Sequence, residues 1–365
     1  MKLLLLTAGG RSGSDFFQSL TDGHPQILQF PGVLVADNLE KIINSKSSKT
    51  IAINFIKNYS SFFDSRKGKF ERWHKLGKNK NSFFKVNENK FISHFQKINK
   101  NEKNRLKILK NLHFAYELAK GKSIKGKKIL FLHTHLLSWS KQFINFFSLR
   151  QFEIIHTIRH PLSSISIPLK DWFKYKNGSG FFYKDLYFVL DRVCNIINDL
   201  NKLSKVHVVQ LEILHTKNIK MMKSFCRKFK IKFTNSLTKS SKNGLQWWGD
   251  SVGKVWLPGV NKNFKTVIDI NYLSERDFIF LQNLTSHIIK KYKYEFFFPE
   301  ESKYFLFLPM KCERKIFKNT FKYLFYLGFR WKHLVTLPLY YILRIIMLNK
   351  IVINTREKDL PNSLI

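Results

Sequence analysis

The chain has 365 residues, 64 Lys and Arg against 25 Asp and Glu, a net charge of +39, and a hydrophobic content of 44%. That length and apolar content can fill a large core, which excludes a mostly disordered chain. Three cysteines, Cys194, Cys226 and Cys312, are too scattered for a disulfide framework or a zinc site, and a reducing compartment is expected. Lys outnumbers Arg about four to one, so the charge reads either as compositional bias or as the mark of an anionic partner.

In chain order, residues 3–7 (LLLLT) predict a first buried strand, followed by a Gly-rich turn and a helix from about Ser14. Residues 39–126 are helical in pattern around a polar loop at 66–89, a helical insertion assigned to about 40–126. Strands follow at 127–133 (KKILFLH), 152–158 (FEIIHTI) and 206–211 (VHVVQL), each leading into a turn and a helical pattern. This alternation predicts an α/β fold with a central parallel sheet flanked by helices, P-loop-NTPase-like, with ligands at the carboxyl ends of the strands. Residues 1–300 are read as one α/β domain and 301–365 as a basic, aromatic helical tail. The most apolar stretch, 321–348, is interrupted by Lys322, Arg330, Lys332, His333 and Arg344, so no window reaches the run of about 18 apolar residues of a span. A cytoplasmic protein is expected, with the tail either packed as a helical pair or lying on the anionic inner face of the membrane.

The turn after the first strand, Gly9-Gly10-Arg11-Ser12-Gly13-Ser14-Asp15, combines glycines that allow close backbone approach with a helix amino terminus and a guanidinium. Such a turn suits a phosphate or sulfate. It lacks the spacing and the Lys of a Walker A loop, which disfavours a P-loop kinase. The segment 10–27 (GRSGSDFFQSLTDGHPQI) resembles the 5′-phosphosulfate loop of the sulfotransferase family, whose donor is 3′-phosphoadenosine 5′-phosphosulfate (PAPS). Arg11, Ser12, Gly13, Ser14 and the later His24-Pro25 carry the match, and Asp15 stands where the family has a second hydroxyl residue. Residues 159–166 (RHPLSSIS) are similar to the family's 3′-phosphate segment, which implies that Arg159 grips that phosphate together with Ser163 or Ser166.

His133-Thr134-His135-Leu136 resembles the family's Lys-Thr-His-Leu stretch, so the resemblance implies that His135 is the general base, with Glu40 as its rival. The implied activity is sulfuryl transfer from PAPS to a hydroxyl of a carbohydrate or glycolipid, without a metal. Gly10 to Asp15 would hold the donor, Arg11 would stabilise developing charge, and the resemblance extends over about residues 1–295. Glu212 takes the acidic position of a later strand-loop-helix unit, and Trp247-Trp248-Gly249-Asp250 either stacks on a ligand or belongs to core and rim. The alternative function is a non-catalytic polyanion or nucleic-acid binder. It is disfavoured because Lys is spread along the chain with no compact basic stripe.

Overall fold

In the computed structural model the described residues are 1–9, 11–175, 183–195, 205–250, 256–257, 259–299, 308–326, 331–357 and 360–365. Gly10 therefore lies outside them, as does the start of the C-terminal tail. The elements run β1 (Lys2–Ala8), α1 (Ser14–Thr21), β2 (Ile27–Gln29), α2 (Ala36–Ile43), α3 (Ser48–Asn58), α4 (Ser60–Phe63), α5 (Glu88–Ile98) and α6 (Arg105–Ala119). They continue with β3 (Ile129–His135), α7 (Leu137–Phe146), β4 (Glu153–Ile158), α8 (Pro161–Tyr175), α9 (Tyr183–Asn195), β5 (Val206–Gln210), α10 (Leu211–Thr216) and α11 (Asn218–Phe229). Last come the small hairpin β6 (Ser241–Lys242) and β7 (Leu245–Gln246), then α12 (Glu275–Leu284), α13 (Ser286–Lys291), α14 (Lys311–Tyr326) and α15 (Trp331–Glu357).

Five parallel strands form the sheet in the order β2-β3-β1-β4-β5, so all four expected strands are present and the three-residue edge strand β2 adds to them. The four leucines of β1 are at most 8% exposed, because helices cover both faces of the sheet. Their alternation divides two cores. Leu3 and Leu5 pack with Leu130, Leu132 and Ile154 against the helical insertion, whereas Leu4 and Leu6 pack with Phe17, Phe131, Met222 and Phe225 beside α1 and α11. The insertion has its own aromatic filling, in which Phe30 contacts Phe55, Phe62 and Tyr116, and Tyr116 Oη donates to the Phe62 carbonyl at 2.6 Å.

The C-terminal region is knitted to this body. α14 and α15 both pack on α9, and the last residues return to the open edge of β5, where Leu364 N donates to Val208 O at 2.9 Å and Val208 N to Asn362 O at 3.1 Å. This pairing covers backbone groups that an edge strand would otherwise expose. Between α14 and α15 a fully buried Arg344 donates from Nε to Glu313 at 2.9 Å, and Tyr340 donates to the same carboxylate. Removing one partner of such a pair strands a buried charge. We expect Glu313→Ala to destabilise the C-terminal helices by about 3 kcal/mol, measurable as earlier urea melting and faster proteolysis after residue 308, whereas Lys318→Ala on the exposed side should change neither.

Candidate functional site

β1 lies centrally between β3 and β4, and the carboxyl ends of these three strands meet at the reversal of strand order where α/β sheets bind ligands. The turn from β1 into α1 is strapped to β4 and α8. Gly9 N and Ser12 Oγ both donate to the Thr157 carbonyl, at 3.1 and 2.6 Å, and Ser164 Oγ donates to Gly9 O at 3.0 Å. Gly13 caps α1 with φ +84°, a conformation that favours glycine, and a Cβ there would come 2.4 Å from Leu211 Cδ1, so that side chain would also have to move.

Arg11 also takes a positive φ, 52°, and reaches Asp250 at 3.0 Å and Asp171 at 3.4 Å. Arg159, at the end of β4, lies close enough for the two like charges to act on each other. Its Nε is buried without a hydrogen-bond partner, and its guanidinium faces Phe264 at 5.9 Å. Burial is the main force lowering the Arg159 pKa from its ordinary range, with Glu212 opposing and Arg11 reinforcing the shift. Glu212 accepts from His160 N at 2.9 Å and from Tyr294 Oη at 3.2 Å, which fixes the carboxylate beside this arginine. On the same side His215 lies in a stack between Phe16 and Phe264, with ring centroids 4.3 and 4.5 Å apart, and burial next to Arg159 brings its pKa down to about 4.

A bulge shapes the end of β3. The register against β1 slips so that Leu6 pairs with His133 and Thr7 with His135, skipping Thr134, and His135 takes φ +62°. This bend brings His135 Nδ1 to 3.4 Å from Ser14 Oγ and His133 Nδ1 to 3.7 Å from Asp15. Gln18 donates through Nε2 to the Phe30 and Gly32 carbonyls, which leaves its Oε1 as acceptor for His133 Nδ1 at 3.2 Å and Lys242 Nζ at 3.0 Å. His133 is thereby a neutral Nδ1–H tautomer, and burial pushes its pKa to about 3. Burial tends to raise the Asp15 carboxyl, but electrostatic interaction with His133, Lys242 and His135 outweighs it and keeps Asp15 below its usual range. Asp15, His133 and His135 bring ligand atoms within 4.8 Å of one another, a spacing that a metal could exploit. The buried Lys242 acts electrostatically on the same groups, and burial lowers its own pKa from the ordinary range.

The structure also adds carboxylates that the sequence reading left without a role: Asp171, Asp250 and above all Glu71. Glu71 belongs to the loop between α4 and α5, which is clasped by the β7 region. Trp247 Nε1 donates to Glu71 O and Trp248 Nε1 to Gly77 O, both at 2.7 Å, while Gly77 N donates to Gln246 O at 2.9 Å. Lys242 sits between the Trp73 and Trp247 rings, and Lys80 covers Trp248 and Trp256. The tryptophan pair therefore holds the loop down over the turn. This carries Glu71 to the charges of Asp15, Asp250, Arg11 and Lys242, with its Oε2 buried and unpartnered. Burial first, then Asp15, raises the Glu71 pKa to about 8.

Other expected residues fall elsewhere. Glu40 is exposed on α2, and none of the hydrogen bonds or ion pairs just described includes it. Ser163 donates to Val267 O at 2.6 Å and Ser166 accepts from Asp269 N at 3.2 Å, so both tie α8 to the 267–269 segment, and Ser164 is the α8 serine bonded to the turn. His24 accepts from Gln26 N through Nδ1 and donates from Nε2 to Lys232 O at 2.8 Å, a structural tie. Glu71 carried a faint sequence signal as an isolated acid in the Lys-rich stretch 66–87.

No protein-family model and no curated protein matches the sequence. Solved structures that resemble the chain include two sulfotransferase domains. The sulfotransferase domain from the curacin biosynthetic pathway is 15% identical, with a TM-score of 0.36 over 87% of this chain and 96% of that one. The sulfotransferase domain from the Synechococcus PCC 7002 olefin synthase is 14% identical, with a TM-score of 0.37 over 73% and 84%. TM-scores of that size carry no functional weight.

A carboxyl raised to about 8 binds its proton in the folded protein while the unfolded chain, near 4.5, has lost it. Stability from this group therefore falls as pH rises from about 4.5 to about 8 and is flat outside that window. Glu71→Gln removes the titration, so its melting temperature relative to wild type should climb by several degrees across that interval in a scanning calorimetry series. A constant difference would contradict the buried, protonated state.

Proposed function

We propose that the protein is a PAPS-dependent sulfotransferase. The observation that carries this reading is the convergence of Arg11 and Arg159, with a buried and unpartnered Arg159 Nε, on an αL turn that opens a helix at the switch point of the sheet. Two guanidinium groups of this kind suit a ligand with two separate anionic groups. The turn at Arg11 to Ser14 would hold the 5′-phosphosulfate, with Gly10 as the adjoining residue of the motif, and Arg159 would hold the 3′-phosphate. Ser163 and Ser166 have backbone partners, so they enter only by exchanging them. When bound, PAPS supplies the sulfuryl group.

The remaining roles fall to side chains of this chain. Arg11 exchanges Asp171 and Asp250 for the anionic ligand and so binds with a charge that is already oriented. His135, turned by the bulge toward Ser14, takes the proton of the acceptor hydroxyl; it is preferred to Glu40, which is exposed on α2. Glu71, protonated at neutral pH, lines the site as a hydrogen-bond donor without repelling anionic oxygen. The acceptor is read as a carbohydrate or glycolipid hydroxyl, supported by half-buried Trp248 and Trp256 beside Lys75 and Lys80, which join flat apolar faces to donors at the rim.

Titration calorimetry with 3′-phosphoadenosine 5′-phosphate tests the donor assignment. It should bind at least about tenfold more tightly than AMP, and Arg159→Ala should remove about tenfold to a hundredfold of its affinity while leaving AMP nearly unaffected. Equal affinities for the two nucleotides would overturn the proposal.

A further inference from the structure

α15 buries one side and, among the described residues, leaves the opposite, aliphatic side exposed. Tyr340, Arg344 and Leu348 are at most 5% exposed and form the packed side. Val335, Leu339, Ile342 and Ile346, spaced by four, three and four residues, point the other way and are 59, 57, 55 and 47% exposed. A helix that is apolar all round is ordinarily buried all round. Four aliphatic side chains in one row are a contiguous patch and differ from singly scattered surface leucines.

We propose that this face of α15 docks on an anionic lipid bilayer, lying in its interface. Charge selects the occupant. α14, packed against α15, exposes Lys311, Arg314, Lys315, Lys318 and Lys322 together with Phe321 on one side. Neighbouring helices lie about 8–10 Å apart, comparable to the Debye length of about 8 Å at physiological salt, so these cations add to the attraction of an anionic surface. A second copy of the chain is the other partner such a row could seek, but each copy carries +39 and two would repel. Crossing the bilayer is excluded for this element, since no helix among the described residues is long and apolar enough to span. The aliphatic row enters the boundary of the acyl chains while α14 stays at the headgroups.

Flotation of the full-length protein with vesicles of phosphatidylcholine, with and without phosphatidylglycerol, tests this. Wild type should float with the anionic vesicles, less so as salt is raised, and stay behind with phosphatidylcholine alone. The triple variant Leu339→Gln, Ile342→Gln, Ile346→Gln should lose about tenfold or more of its partitioning with an unchanged circular dichroism spectrum. Lys315→Glu with Lys318→Glu should weaken binding to anionic vesicles several-fold, and decides the matter where the triple variant fails to fold. Wild type remaining in solution with both vesicle types, or variants that partition like wild type, would overturn the proposal. So would light scattering that finds a dimer which the triple variant dissolves, since the row would then belong to a second copy. None of these readouts depends on nucleotide binding.

Discussion

The carboxyl edge of the sheet is organised around a repulsion: two guanidinium groups, Arg11 and Arg159, act on each other while both are partly withdrawn from water. Like charges in that position are tolerable only with opposite charge close by. The fold supplies Asp171 and Asp250 to Arg11 and sets Glu212 beside Arg159. The two cases differ. Arg11 is paired with partly exposed carboxylates that water can replace, whereas Arg159 keeps a buried Nε with nothing to donate to. An anion would give the buried Arg159 Nε an acceptor and could displace the partly exposed carboxylates from Arg11, so the arrangement suits the proposed anionic ligand.

The same electrostatics bears on the loop between α4 and α5 that carries Glu71. An acid brought over this turn by the insertion would be repelled by Asp15 if ionised, and would compete with an anionic ligand for Arg11. Burial and the Asp15 charge instead hold Glu71 in its neutral form. The loop that carries it is fixed by backbone carbonyls at Glu71 and Gly77 accepting from the Trp247 and Trp248 indoles. Since those contacts use main-chain atoms, the loop's position does not depend on the charge state of Glu71.

The sheet was legible from the sequence because its strands are short, continuous apolar runs, buried on both faces and separated by polar turns. Gln29 closes a strand of only three residues, too short for any period to register, so β2 was invisible. The glycine-rich turn that caps α1 was legible from its own residues, whereas Arg159 was singled out through the resemblance alone, since an arginine after a strand carries no local signal of its own. Glu71 was not legible, because its contacts with Asp15, Lys242 and Asp250 join segments far apart in the chain, and no local pattern encodes such an encounter. Glu40 shows what a sequence position alone leaves open. Its place after the loop helix suggested a base, but α2 turns it to solvent. The tryptophan pair, readable either as a stacking surface or as core and rim, became a clasp once its indole N–H groups had partners.

The buried ion pair of the C-terminal helices acts on specificity more than on stability. Taking Glu313 and Arg344 fully out of water costs much of what their attraction returns, and an apolar pair of similar size would pack as well. What such a pair would lose is rotation. α15 is apolar nearly all round, so hydrophobic burial alone gives several orientations about its axis almost equal weight. Arg344 can satisfy its charge in one of them, with Nε on Glu313 and Nη2 on Leu308 O at 3.1 Å, and Tyr340 adds its hydroxyl to the same carboxylate. That requirement holds positions 340, 344 and 348 inward, and by helical geometry it holds 335, 339, 342 and 346 outward. The exposed aliphatic row is thus a direct consequence of where one buried arginine must find its partner.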